Sequence, residues 1–270
     1  MDAPSLFSLK NKVAVVTGAL GLLGKQHCLA LSEAGAIVVV CDLILKDCED
    51  FAYSLEGENM GAGVDITSAD SIKKLKSMIL DKYKKVDILV NNAAINDMFE
   101  NPFAAAELTK FENYPLELWN KSLEVNITGT FLCSQIIGAQ MAAQGNGSII
   151  NIASTYGVVA PDQSIYKKTD GSQSFYKSPA YPATKGAVIS FTKFLAAYWG
   201  NKGVRVNCLS PGGVENNQEE YFIKNYSAKT PLRRMAAPND YKGAIIFLAS
   251  DASSYMTGAN LIIDGGWTAW

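Results

Sequence analysis

The sequence predicts an α/β fold, a doubly wound parallel sheet of about seven strands with helices on both faces. Short runs such as VAVV and IVVVC are apolar throughout, as in strands buried on both faces. Segments with helical periodicity separate these runs, an alternation that implies a parallel sheet with crossover helices. A glycine-rich turn, TGALGLLGK at 17–25, joins the first such strand to the first helix. No repeat, low-complexity tract or Pro/Ser-rich linker interrupts the chain, so residues 1–270 read as one domain.

Taken in order, VAVVT (13–17) is the first strand and a helix runs from about Leu22 to Ala34, stopping at Gly35. IVVVC (37–41) is the second strand, and a short third strand is expected near Gly63–Ile66. SADSIKKLKSMILDKY (68–83) carries apolar side chains at 72, 75, 79 and 83, a helical stripe. VDILVNNA follows as a strand, and a long helical stretch begins after Pro115, a residue suited to a first turn, and ends near Gln144. Strands at 147–154, 204–210 and 259–264 alternate with helices at 182–200 and 238–250.

Composition narrows the function classes. The chain is 48% hydrophobic and 19% charged, which fits a folded soluble protein and not a disordered one. A formal net charge of −2 gives no electrostatic reason to expect nucleic acid or an acidic membrane as partner. No apolar run reaches the roughly 20 residues of a membrane span, and the N-terminus has no signal-peptide core. Five scattered cysteines without a C-x-x-C pair point to buried thiols in a reducing cytoplasm, with neither a disulfide framework nor a metal site. The single histidine, His27, falls in the first helix, where a packing or surface role is the simplest reading.

The turn at 17–25 has the glycine content and the strand-to-helix position of a phosphate-cradling loop. A Walker loop needs four residues between its first glycine and GK, then Ser or Thr for magnesium. Here five residues separate Gly18 from Gly24, and Gln26 follows Lys25, so that reading fails. Glycines at 18, 21 and 24 instead suit a dinucleotide turn, in which backbone approaches pyrophosphate at a helix N-terminus. The acidic residue expected about 20 positions on is Asp42, at the end of the second strand. A carboxylate there accepts from ribose hydroxyls and repels a 2′-phosphate, and no Arg or Lys follows in DLIL, so NAD is favoured over NADP.

Without a second histidine, proton transfer needs another base. Tyrosine serves when a lysine ammonium one helical turn away lowers its pKa from roughly 10. Two Tyr-x-x-x-Lys pairs occur, Tyr181/Lys185 and Tyr198/Lys202. The second straddles Gly200 at a helix end, whereas the first opens a helix behind the serine-ended strand INIAS.

Together with these motifs, LVNNAA (89–94), EVNITGTF (124–131), YPATKGA (181–187), VRVNCLSPGGV (204–214) and MTGANLIIDGG (256–266) resemble the short-chain dehydrogenase/reductase family over essentially the whole chain. The resemblance implies a Rossmann-type fold and NAD(P)-linked interconversion of alcohols and carbonyls. It implies that Tyr181 is the general acid/base, that Lys185 lowers its pKa and holds the nicotinamide ribose, and that Ser154 hydrogen-bonds the substrate oxygen. Asn126 would hold a water linking Lys185 to solvent. For the cofactor it implies Gly18, Gly21, Leu22 and Leu23 at the pyrophosphate, Asp42 at the ribose, and Asp65 with Ile66 at the adenine. Asn91, Asn92 and Ala93 would border the adenosine side, and Pro211, Gly212 and Val214 the nicotinamide.

Three features depart from the family pattern, the slightest being Ala94 in place of the usual glycine after the paired asparagines. The middle glycine is Gly21, with Leu22 where the single-domain branch usually has glycine, a spacing closer to the sugar-nucleotide epimerase and dehydratase branch. That leaves an epimerase or dehydratase with tightly held NAD open as an alternative; a non-enzymatic NAD-binding regulator is a third reading, against which the intact Asn126, Ser154, Tyr181 and Lys185 set argues. Ser154 and Tyr181 lie 27 positions apart (181 − 154), so residues 158–180 contain an insert expected beside the substrate. With the polar segment 96–115 and a lid at 215–235, it suggests a polar substrate such as a sugar derivative, and a kinship with bacterial surface-glycan or flagellin-modifying enzymes. The family's long helices imply a homodimer or homotetramer, with Trp267 and Trp270 near a two-fold axis.

Overall fold

The computed structural model describes residues 2–96 and 107–270. Residues 97–106, part of the polar segment expected at the substrate mouth, lie outside the described residues. Seven parallel strands form one sheet in the order β3-β2-β1-β4-β5-β6-β7. They are β1 (Val13–Thr17), β2 (Ile37–Asp42), β3 (Met60–Gly63), β4 (Ile88–Asn91), β5 (Gly147–Ile152), β6 (Val204–Pro211) and β7 (Asn260–Ile263). Helices α1 (Leu22–Glu33), α2 (Leu45–Ser54), α3 (Ala69–Tyr83), α4 (116–144), α5 (Ala180–Trp199), α6 (Glu220–Lys229) and α7 (Lys242–Ala249) complete the chain.

The two faces of the sheet make two cores, as wholly apolar strands require. Val13, Val15 and Val39 face one side with Ile72, Leu75 and Ile79 of α3, so the predicted stripe is the buried face. Ala14, Val16 and Val38 face the other with Leu31 of α1 and Ile245 of α7. Strand order reverses between β1 and β4, and at such a switch point the chain splays apart at the strands' C-terminal ends to leave a crevice.

Two element boundaries differ from expectation. Strand β3 occupies 60–63 and not 63–66, because Gly61 and Gly63 let α2 lie directly on it. A Cβ at Gly61 would come 2.3 Å from the Glu49 nitrogen. Helix α2, absent from the sequence reading, is amphipathic only through Cys48 and Ala52, too few apolar positions to register as a stripe. The long helix α4 contains two wide π turns, Glu124–Gly129 and Ser134–Gly138.

Candidate active site

The crevice is stitched across the switch point by Thr17 and Asn92. Thr17 Oγ1 accepts from the Asn92 and Ala93 N–H groups at 3.1 Å each. Asn92 Nδ2 returns bonds to the Thr17 and Gly18 carbonyls at 3.0 and 2.9 Å. Beneath them Asn91 reaches Ser134 and Asn151 in a buried polar row. This lattice fixes the loop after β1 against the loop after β4, which is why Gly18 is irreplaceable: φ is +60° and a Cβ would lie 2.6 Å from Ala93 Cα.

Helix α1 starts at Gly21 without a side-chain cap, so its first N–H groups face the crevice. Gly24 lies against the loop's own backbone, since a Cβ would come 2.1 Å from the Gly18 oxygen. Gly21 is looser, with only Gly18 O at 3.3 Å, and Leu22 beside it is 39% exposed. A leucine is therefore tolerated where the family usually has glycine.

Residues Gly18, Gly21, Leu22, Leu23, Asp42, Asp65, Ile66, Asn92 and Ala93 all line one cleft of about 690 Å³. The Asp42 carboxylate accepts from the Leu20 and Leu43 N–H groups at 3.0 and 2.8 Å, which fixes it at the end of β2. Asp65 sits in the turn beyond β3, where its carboxylate accepts from Thr67 N and Oγ1. The donors, the acid and the depth of the cleft fit a dinucleotide: uncapped N–H groups for the pyrophosphate and Asp42 for a diol.

A second cavity of about 330 Å³ shares Leu22, Leu23, Asn92 and Ala94 with the cleft and holds Ser154, Tyr181, Lys185, Pro211, Gly212 and Val214. Helix α5 delivers Tyr181 and Lys185 one turn apart. It begins at Ala180, where Pro179 and Pro182 occupy first-turn positions that need no N–H partner. Ser154 follows β5, and its Oγ accepts from Tyr156 N at 3.1 Å. Burial pushes the Tyr181 phenol above its usual pKa, and a hydrogen bond with Ser154 pulls it back. Lys185 is buried, and desolvation lowers its pKa to about 8.

Lys185 and Asn126 also make bonds that hold the fold of the site together. Lys185 Nζ donates to Ile152 O at 2.8 Å and lies 5.7 Å from the centre of the Tyr181 ring, so its ammonium is tied to the sheet. The amide of Asn126 spends both donors on protein, on Ile95 O and Thr184 Oγ1 at 3.1 Å each, while its oxygen accepts from Ile95 N at 2.8 Å. Thr130 Oγ1 donates to the Asn126 carbonyl at 2.9 Å within the first wide turn. The side chain thus fixes the loop after β4 against helix α5, and any water it holds would be held through its oxygen acceptors.

The sequence reading missed Lys177. It is 6% exposed, lines the cavity and places Nζ 4.3 Å from the Tyr181 ring centre. A signal was there: in KSPAYPATK, Lys177 stands four residues before Tyr181 as Lys185 stands four after. Tyr156, Tyr166, Phe222 and Tyr226 were also missed as cavity walls. Trp267 is covered within the chain by Tyr226, at 4.5 Å between ring centres, whereas Trp270 is exposed.

A family model described as enoyl-(acyl carrier protein) reductase matches residues 18–268. NAD-dependent glycerol dehydrogenase of Listeria innocua is 37% identical over 268 residues, covering 97% of this chain and 96% of the relative. The chain belongs to the short-chain dehydrogenase/reductase family. D-threitol dehydrogenase of Mycolicibacterium smegmatis is 34% identical, over 97% of this short-chain dehydrogenase and 95% of that protein. The crystal structure of gluconate 5-dehydrogenase from Burkholderia cenocepacia with NADP and tartrate superposes with a TM-score of 0.86, at 28% identity and full coverage of both chains.

This short-chain dehydrogenase is thus an NAD(P)-dependent oxidoreductase of the single-domain branch. The epimerase alternative, raised by the glycine spacing, and the regulator alternative both yield to that assignment. Kinship with surface-glycan or flagellin-modifying enzymes is not supported, because the relatives are named for glycerol and threitol. Among the described residues, no helix is long and apolar enough to cross a membrane.

Proposed function

We propose that this enzyme oxidises a secondary hydroxyl of a small polyol, and reduces the corresponding hydroxyketone, with NAD preferred over NADP. The observation that carries the reading is the convergence of Tyr181, Ser154 and Lys185 on a cavity with polar and aromatic walls, continuous with the cleft that Asp42 closes. Asn96, Gln218 and tyrosine groups give that wall a polar character that suits the hydroxyls of a polyol better than an acyl chain. The relatives named for glycerol and threitol support the same substrate class.

Bound NAD supplies the hydride acceptor. The start of α1 and Gly18 hold the pyrophosphate, Asp42 takes the ribose diol, and Asp65, Ile66, Asn92 and Ala93 border the adenosine. Pro211, Gly212 and Val214 would flank the nicotinamide end, and Lys185, in the same cavity, would hold its ribose. Ser154 donates to the substrate oxygen, and the Tyr181 phenolate takes the hydroxyl proton as general base, returning it in the reducing direction. Asn126 keeps the floor of the site rigid through Ile95 and Thr184. The five free, buried cysteines favour a reducing, cytoplasmic setting.

The test is a panel of glycerol, D-threitol and galactitol with NAD and with NADP, and of acyl ketones with NADH. Turnover of a polyol with NAD, lost by at least three orders of magnitude in Tyr181→Phe while NAD still binds, is expected. Turnover confined to acyl ketones, or an active Tyr181→Phe enzyme, would overturn the proposal.

A further inference from the structure

Tyr181 has two lysines about it, and the one outside the Tyr-x-x-x-Lys pair is closer to the ring. Lys177 Nζ stands 4.3 Å from the ring centre, against 5.7 Å for Lys185. The insert builds this placement. Gln163 accepts from Lys177 N with Oε1 at 2.9 Å and donates to Lys177 O from Nε2 at 3.3 Å, clamping the backbone from both sides. Gln173 in turn donates to Gln163 O at 2.9 Å. At the far end of the side chain, Nζ donates to Asn96 Oδ1 at 2.6 Å, which aims the ammonium at the cavity. A buried, doubly clamped lysine costs desolvation and rotamer entropy, so this arrangement is specified rather than incidental.

We propose that Lys177 is a positioning residue for the proton transfer: its ammonium, held over the Tyr181 ring, stabilises the phenolate form. The proposal rests on the acid/base role of Tyr181 given above. Ionising a phenol spreads negative charge into the ring, so a cation over the face gains more from phenolate than from phenol.

Among the other titratable groups of the described residues around Tyr181, only Lys185 titrates within the working range. Lys185, one turn along α5, sits near 8. Tyr156 after β5 and Tyr166 of the insert are both pushed well up by burial. Tyr226 of α6 is raised to about 12, and Cys208 of β6, near Lys185, to about 11. Asp162, on the Tyr166 side, is held down to about 2, chiefly by Lys229. Lys185 is the same in every Lys177 variant, so a shift of the acid limb between them reports Tyr181.

The experiment is the pH profile of kcat and kcat/KM for polyol oxidation in wild type, Lys177→Gln, Lys177→Met and Lys177→Arg, with NAD affinity measured alongside. Glutamine can still hydrogen-bond to Asn96 but carries no charge. The acid limb is expected to move up by about one pH unit in both neutral variants, a tenfold loss on that limb, and to return in Lys177→Arg. An acid limb unmoved in Lys177→Gln overturns the proposal. If only KM rises, Lys177 binds substrate; if nothing changes but stability, it is structural. Failure of Tyr181→Phe to lose turnover would instead remove the proposed function itself, so the two failures are distinct.

Discussion

Tyr166 of the insert stacks on Phe222 of helix α6, with ring centres 5.4 Å apart and planes 28° from parallel. The insert and the lid are thereby one wall of the substrate cavity. Asn225 donates from α6 to the Ile165 and Lys167 carbonyls at 3.2 and 3.0 Å, and Tyr221 OH donates to Ser174 Oγ at 3.0 Å. Lys229 pairs with Asp162 at 2.6 Å, but both are partly exposed, so the pair contributes less than about 1 kcal/mol.

Loosening that wall should weaken substrate binding without touching the cofactor. Asn225→Ala removes two hydrogen bonds to the insert, a loss of about 1–3 kcal/mol, and Phe222→Ala removes the stacking partner. Each is expected to raise KM for the polyol about tenfold while NAD affinity, followed by tryptophan quenching, stays within twofold. Equal losses of NAD affinity would show that the wall supports the cofactor cleft instead.

Asp42 should set cofactor choice. With its carboxylate fixed by two backbone N–H groups at the end of β2, a 2′-phosphate brings like charge onto it. Asp42→Ser combined with Leu43→Arg is expected to invert the ratio of kcat/KM for NAD over NADP by at least 100-fold. An unchanged ratio would place the discrimination elsewhere.

What the sequence made legible follows from what each element needs. Strands buried on both faces must be apolar throughout, so β1, β2 and β5 could be read directly, whereas β3 is MGAG and owes its place to α2 lying on its glycines. Tyr181, Ser154 and Asp42 could be placed because strand ends and a helix start fix them. Lys177 and Tyr166 could not, since the insert's path depends on contacts with α6 distant in sequence. The direction in which Lys185 points was likewise invisible, because Ile152 O becomes its partner only when β5 and α5 pack.

An exposed row of rings on the helices beside β5 offers a self-association face. Phe131, Phe194 and Tyr198 are 42%, 60% and 64% exposed, and Phe191, Phe194 and Tyr198 stack in succession. Phe194→Glu with Tyr198→Glu is expected to lower the mass measured by light scattering to that of one chain, 29.1 kDa. A wild type already at that mass would refute the homo-oligomer expected from the sequence.

His27 should be a liability that depends on pH. It is fully buried in α1, neither ring nitrogen has a partner among the described residues, and burial lowers its pKa to about 3. The unfolded chain binds a proton near pH 6.5 that the folded chain refuses. Its contribution to stability is therefore undiminished above about pH 6.5 and falls as pH drops toward 3, by up to about 1.4 kcal/mol per pH unit. Leucine, similar in volume, has neither an unpaired nitrogen to bury nor a proton to exclude. His27→Leu should thus stabilise the fold by about 1–2 kcal/mol at pH 7.5, and by roughly 2 kcal/mol more at pH 5. Urea unfolding at the two pH values measures both terms. A gain that is the same at pH 5 and pH 7.5 would mean that the imidazole accepts its proton in the folded state and is not sealed from water.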